Sequence, residues 1–189
     1  RFHFFLMLVF VLVVGLILTI PFGQAPKILI LAFCILLFLI LKMFLSNYSL
    51  GQKWFYNSIL LWLGVNLVMN LHFYPNLLPF QLGNQLVKQI NQQHWDKEKI
   101  VLHKIPNSYA LHFYGQHVFT IQEDSLQLKE GNWVVTDFKN DSIIKAQFPH
   151  SQQKFASRRF HVTMLSLPFL NPATRDQETI PFEIIELKK

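Results

Sequence analysis

The sequence has one cysteine, seven glycines and no acidic side chain before Asp96. Each shortage excludes something. Cys34 has no second cysteine to pair with and lies in an apolar run, where it reads as a small packing residue. Only Gly83, Gly115 and Gly131 lie beyond residue 75, so there is no Gly-rich loop to cradle a phosphate, neither a dinucleotide fingerprint nor a P-loop. The G-x-S-x-G turn of a serine hydrolase is also missing. His94, His103, His112 and His117 fall close together, but their spacing fits no common zinc motif and no cysteine accompanies them. They read as surface or packing residues.

The formal charge of +6 divides unevenly. Residues 1–75 carry four basic groups, Arg1, Lys27, Lys42 and Lys53, and no acid. The rest of the chain sets thirteen basic residues against eleven acidic ones. Neither part forms a concentrated basic patch, which argues against nucleic acid as a partner.

What the first part has is apolar length. Residues 2–20 carry no charge except that of a protonated His3, and at 1.5 Å rise per residue a helix of this length covers roughly 28 Å, one hydrocarbon thickness. Two prolines and a glycine in 21–26 break it. A second span is expected over 28–45, with Lys42 snorkelling to the headgroups, and a third over 54–74, with aromatic residues at both ends. Residues 1–75 are thus predicted to be three transmembrane helices, with membrane lipids as partners. Arg1, Lys42 and Lys53 fall on one side and Lys27 on the other. The positive-inside rule then puts residues 76–189 outside the cytoplasm. The start at Arg1, followed by three apolar segments rather than one short signal core, leads us to expect further sequence upstream.

Beyond Pro75 the pattern changes. An amphipathic helix is expected over 77–93, with strands over 99–104, 117–122, 133–137, 160–167 and 180–187. Helical turns are expected over 107–115, 123–130 and 140–147, with Asn107 or Ser108 and then Asn140 as N-caps. Strands alternating with helices predict a small α/β domain over 76–189, with a mainly parallel sheet of about five strands. The last two strands, with no long helix between them, are expected to pair antiparallel at an edge.

Candidate site residues are few. Asn66 and Asn70 share one helix face and either bond between helices or line a polar cavity, with His72 and Tyr74 at its rim. Arg158, Arg159 and Arg175 either are solvated loop charge or meet a lipid phosphate, whose geometry a guanidinium matches. The adjacent Glu123 and Asp124 read as solvated.

Four stretches carry a resemblance: LHFYPNLLPFQ at 71–81, SYALHFY at 108–114, NWVVTD at 132–137 and FLNPATR at 169–175. Together they resemble the C-terminal end of bacterial membrane glycosyltransferases of the GT-C superfamily, of the dolichyl-phosphate-mannose–protein-mannosyltransferase-like and aminoarabinose-transferase-like types. The resemblance implies a many-helix membrane enzyme with an extracytoplasmic C-terminal domain. It implies a place in the bacterial inner membrane, a polyprenyl-phosphate-linked sugar as donor and a glycan, lipid or protein as acceptor. It places the catalytic acid in an outside loop upstream of Arg1, so no catalytic residue is expected within residues 1–189. Any divalent metal the chemistry uses belongs to that upstream part, and no metal site is expected here. The competing readings are a non-catalytic, membrane-tethered binding or scaffold domain and a transporter fragment. The latter lacks the broken helices or ionisable groups expected at mid-membrane.

Overall fold

The computed structural model describes residues 2–188, without the side chains of residues 2–8 and Leu12. Expectations resting on Arg1 and on the His3 side chain lie outside the described residues.

The chain divides into two units. One comprises residues 1–77 with 166–174; the other comprises 78–165 with 175–189. In the first, α1 spans Phe2–Thr19, α2 Lys27–Leu45 and α3 Leu50–Val68. Pro26 precedes the first turn of α2, where its missing N–H costs nothing, and Lys42 sits in the last turn. A capping box opens α3: Ser49 Oγ accepts from the Gln52 N–H at 3.4 Å and Gln52 Oε1 accepts from the Ser49 N–H at 3.1 Å. α2 packs on α3 where Gly64 leaves room for Leu36. Val14, Leu18, Ala25, Leu29 and Val68 form this unit's small core.

The helix beginning at Leu50 continues beyond Val68 as a π-helical turn, Met69–Phe73, and then as α4, Tyr74–Leu77. The Tyr74 N–H bonds to the Met69 carbonyl, five residues back. Pro75 has no N–H to donate and crowds the carbonyl four residues before it, so a widened turn at this point is mechanically reasonable.

Two helical stretches, Lys27–Leu45 and Leu50–Phe80, are long and apolar enough to cross a membrane. Only 11 % of the most apolar stretch of the first and 17 % of the second is buried. Ile28, Phe38, Leu45, Phe55 and Trp62 point outward. A helix at the core of a water-soluble protein would bury such residues.

In the second unit, α5 is Leu82–Gln93, β1 Ile100–His103, α6 Tyr109–Gly115, β2 Thr120–Gln122, β3 Trp133–Asp137, α7 Asp141–Gln147 and β4 Gln152–Arg159. The short α8, Leu167–Leu170, belongs to the first unit; α9, Arg175–Glu178, and β5, Ile180–Glu186, return to the second. The five strands lie in the order β2-β1-β3-β5-β4. β1 pairs parallel with β2 and β3, whereas β5 pairs antiparallel with β3 and β4. The sheet is therefore mixed, which corrects the mainly parallel expectation. An antiparallel β4–β5 pair is present, but it is made by residues 152–159 instead of the expected 160–167, and β5 also inserts beside β3 and so lies inside the sheet. The strand expected over 160–167 is not formed; β4 is the polar stretch before it.

Side chains alternate across the sheet. On one face Ile100, Leu102, Val135, Phe182 and Ile184 pack with Leu86 and Ile90 of α5 and Leu111 of α6. On the other, Val101, Val134 and Ile185 pack with Ile144 and Phe148. α5 buries Leu82, Gly83, Leu86 and Ile90, one stripe of an amphipathic helix.

Candidate functional site

Because β5 runs opposite to β3 and β4, the C-terminal ends of β1, β2, β3 and β4 meet at one edge of the sheet. Loops at such an edge form the usual ligand crevice of open α/β sheets. Here the edge is built around an ion pair. Arg159 ends β4 and Asp137 ends β3, on the same face. Arg159 Nε donates to Asp137 Oδ1 at 3.1 Å and Nη2 to Oδ2 at 3.0 Å. Both side chains are largely buried, at 15 % and 6 % exposure. This fork joins two strands that β5 separates.

Arg158 points to the opposite face. Its Nε donates to Thr179 Oγ1 at 2.6 Å and its Nη2 to the carbonyls of Thr179 and Asp176. Arg175 stacks over the Phe80 ring at 5.4 Å, and burial lowers its pKa while Asp176 opposes that shift. The three arginines, read from sequence as solvated loop charge or as phosphate contacts, are thus all engaged within the unit, and Arg159 lines a cleft.

That cleft, of about 280 Å³, lies between the start of α5, the β1–α6 loop and residues 159–163. Hydrogen bonds hold its polar side chains in place. Phe119 N–H donates to His112 Nδ1 at 3.1 Å, which leaves the ring proton on Nε2 to donate to Asn107 Oδ1 at 2.6 Å. Gln81 Oε1 accepts from Asn84 Nδ2 at 2.7 Å. Ser108 Oγ caps α6 by accepting from the Leu111 N–H at 3.4 Å. His161 Nδ1 and Thr163 Oγ1 bond to each other at 2.8 Å. No carboxylate is among the lining residues.

Two further buried ionisable groups flank the sheet. Glu183 on β5 is 2 % exposed. Burial and the neighbouring Asp141 raise its pKa; Lys145 and the Gln153 amide, 2.8 Å from Oε2, pull the other way. Its Oε1 has no partner among the described residues. His103, at the end of β1, bonds through Nδ1 to the Gln122 carbonyl at 3.0 Å. Burial lowers its pKa, with the Gln122 bond opposing. For Glu183 the unfolded chain ionises near 4.5 while the folded chain holds its proton, so stability falls as pH rises above that value. His103 acts in the other direction: the unfolded chain gains a proton below about 6.5 that the folded chain refuses, so stability is lost on acidification. Glu183→Gln should flatten the alkaline loss, raising Tm at pH 8 relative to wild type. An unchanged pH profile of thermal unfolding would remove Glu183 from this role.

The membrane-side candidates fall in the first unit. Asn66 Nδ2 donates to the Trp62 carbonyl at 2.9 Å and Asn70 Nδ2 to the Asn66 carbonyl at 2.8 Å, each along its own helix. His72 is buried within the π-helical turn and its Nε2 has no partner among the described residues. Its neighbour Asn76 donates to the His72 carbonyl at 2.7 Å, and Tyr74 is exposed. Asp137, Gln81 and His161 were not among the residues singled out from sequence, and Asn107 was singled out only as a possible N-cap. The signal that could have found them is positional: each sits at or beside a strand end or helix start on the carboxyl edge. Among the described residues no three His, Cys, Asp or Glu side chains gather as a metal site. No protein-family model, curated protein or solved structure matches the chain.

Proposed function

We propose that the chain is the C-terminal part of a GT-C-type membrane glycosyltransferase that moves a sugar from a polyprenyl-phosphate donor to an acceptor outside the cytoplasm. In this reading α1 joins the two longer apolar stretches as a third span, and the α/β unit lies beyond the bacterial inner membrane. The observation that carries the proposal is the succession of outward-facing apolar helices and an α/β unit whose carboxyl edge holds a polar, hexose-sized cleft. A lipid-linked donor keeps its sugar at the membrane surface, where a tethered α/β unit can cover it and shape acceptor access. The expected chemistry is displacement at the anomeric carbon, with a carboxylate as base and a lipid phosphate as leaving group. Residues 1–95 contain no carboxylate side chain, so the base comes from elsewhere in the enzyme.

The test uses the full-length membrane protein in nanodiscs with a radiolabelled polyprenyl-phosphate sugar. Transfer of label to a water-soluble or glycolipid product supports the proposal. Failure to consume a panel of hexose and pentose donors overturns it. In the same assay the Asn66→Leu/Asn70→Leu variant should express normally and lose transfer, by about a hundredfold or more if both amides line the substrate cavity. Wild-type turnover would leave them with no role beyond their own helix.

The second reading, a membrane-tethered binding domain without catalysis, is favoured by the lack of any carboxylate lining the cleft. It predicts ligand binding without turnover.

A further inference from the structure

Four side chains of the cleft keep hydrogen-bond donors to offer. His112 Nε2 donates to Asn107 Oδ1, which orients the amide and leaves its Nδ2 hydrogens available. Gln81 is oriented likewise, its Oε1 accepting from Asn84 and its Nε2 hydrogens left to offer. Ser108 Oγ accepts from the helix and retains its O–H as donor. Arg159 uses Nε and Nη2 on Asp137, and a guanidinium has five N–H groups, so the Nη1 pair remains. The cleft thus presents donors from four side chains and no carboxylate acceptor.

A carboxylate or phosphate oxygen brings acceptors only, which is what four donors call for. Asp137 neutralises Arg159, so recognition rests on directed N–H and O–H groups rather than on surplus charge. The cleft, of about 280 Å³, has room for a monosaccharide. At the rim stands Tyr109, 83 % exposed, a ring against which the apolar face of a pyranose can stack.

We propose that this cleft binds an acidic glycosyl group, a pyranose bearing a carboxylate or a phosphate. The proposal goes beyond the transferase reading and does not depend on it: binding without transfer would end that reading and leave this one standing.

Titration calorimetry on the whole chain in nanodiscs tests it, with glucuronate and glucose 6-phosphate as probes and glucose and inorganic phosphate as controls. Millimolar binding of at least one acidic sugar is expected, about tenfold tighter than either control. Binding by glucuronate alone, or by glucose 6-phosphate alone, identifies which oxyanion is read. Asn107→Asp keeps the bond to His112 but replaces the offered amide with a repelling oxygen, and should weaken binding by about tenfold or more. Tyr109→Phe keeps the ring and should bind nearly as wild type, whereas Tyr109→Ala should weaken binding severalfold. Equal affinity for glucose would overturn the oxyanion assignment. Equal affinity for inorganic phosphate would overturn the sugar. No binding, or full binding by a folded Asn107→Asp protein, would overturn the site.

Discussion

Arg159→Ala is expected to destabilise the α/β unit by about 3–5 kcal/mol, because it leaves the Asp137 carboxylate buried without its counter-ion. The pair is small and local, but it spans β3 and β4 across the intervening β5, so its loss also loosens the carboxyl edge. Arg159→Lys keeps the charge and loses the two-pronged geometry, and should cost less. A double replacement, Arg159→Met with Asp137→Leu, should recover much of the loss, since removing both charges also removes the desolvation they impose. Thermal unfolding in detergent, followed by near-ultraviolet circular dichroism, would read the single Ala variant as a drop in Tm of more than about 10 °C. A drop of a degree or two would mean that the fork is solvated and structurally idle.

The other large effect is expected at Gly83. A Cβ built there would lie 2.7 Å from the Leu111 backbone nitrogen and 3.0 Å from the Ala110 carbonyl carbon. Those are backbone atoms of α6, so relief requires the helix to move rather than a side chain to turn. Overpacking of this kind costs about 1–3 kcal/mol or more, and the better helix propensity of Ala returns at most about 1 kcal/mol. Gly83→Ala should therefore be destabilising by about 2 kcal/mol, although on an isolated helix the same change would stabilise. Since Leu82 and Ala110 both line the cleft, the displacement should weaken ligand binding too. Gly64 is the control: its nearest neighbour is the Leu36 side chain at 3.5 Å, ordinary contact, so Gly64→Ala should be near neutral. If the two variants unfold alike, α5 and α6 are not held at the separation described.

The legible parts of the fold were those whose signal is local. Trp133–Asp137 is a run of β-formers next to a Gly-Asn turn, and it is β3 as expected. Ser108 caps α6, and the seven residues after Asn140 form α7. Asn140 occupies the N-cap position without capping; its amide donates to Thr136 Oγ1 at 3.2 Å instead. The helix expected over 123–130 is reduced to one 3-10 turn, Ser125–Gln127.

Failures occurred where tertiary context decides. Phe160, Val162 and Met164 alternate like a strand, but the Met164 N–H closes a turn onto the His161 carbonyl, and β4 is the preceding QQKFASRR. That stretch has little apolar alternation because it is an edge strand, bulged between Gln153 and Phe155 and paired with β5 on one side. Its strand character comes from pairing with β5, which single-sequence periodicity does not encode. The place of β5 was hidden for a similar reason: it was expected antiparallel at an edge, and its insertion between β3 and β4 is a matter of long-range pairing.

The cleft was the least legible feature. Arg159 stood out as one of two adjacent arginines, but its role depends on Asp137, twenty-two residues earlier. The orientation of the Gln81 and Asn107 amides depends on their bonds to Asn84 and His112, and composition carries none of that.

The whole reading requires lipid around the outward-facing residues of α2 and α3. Alkaline carbonate extraction of cells expressing residues 1–189 tests this directly. Retention of the chain in the membrane pellet, with release only by detergent, is the expected result. Recovery of a soluble, detergent-free monomer in the supernatant would contradict it.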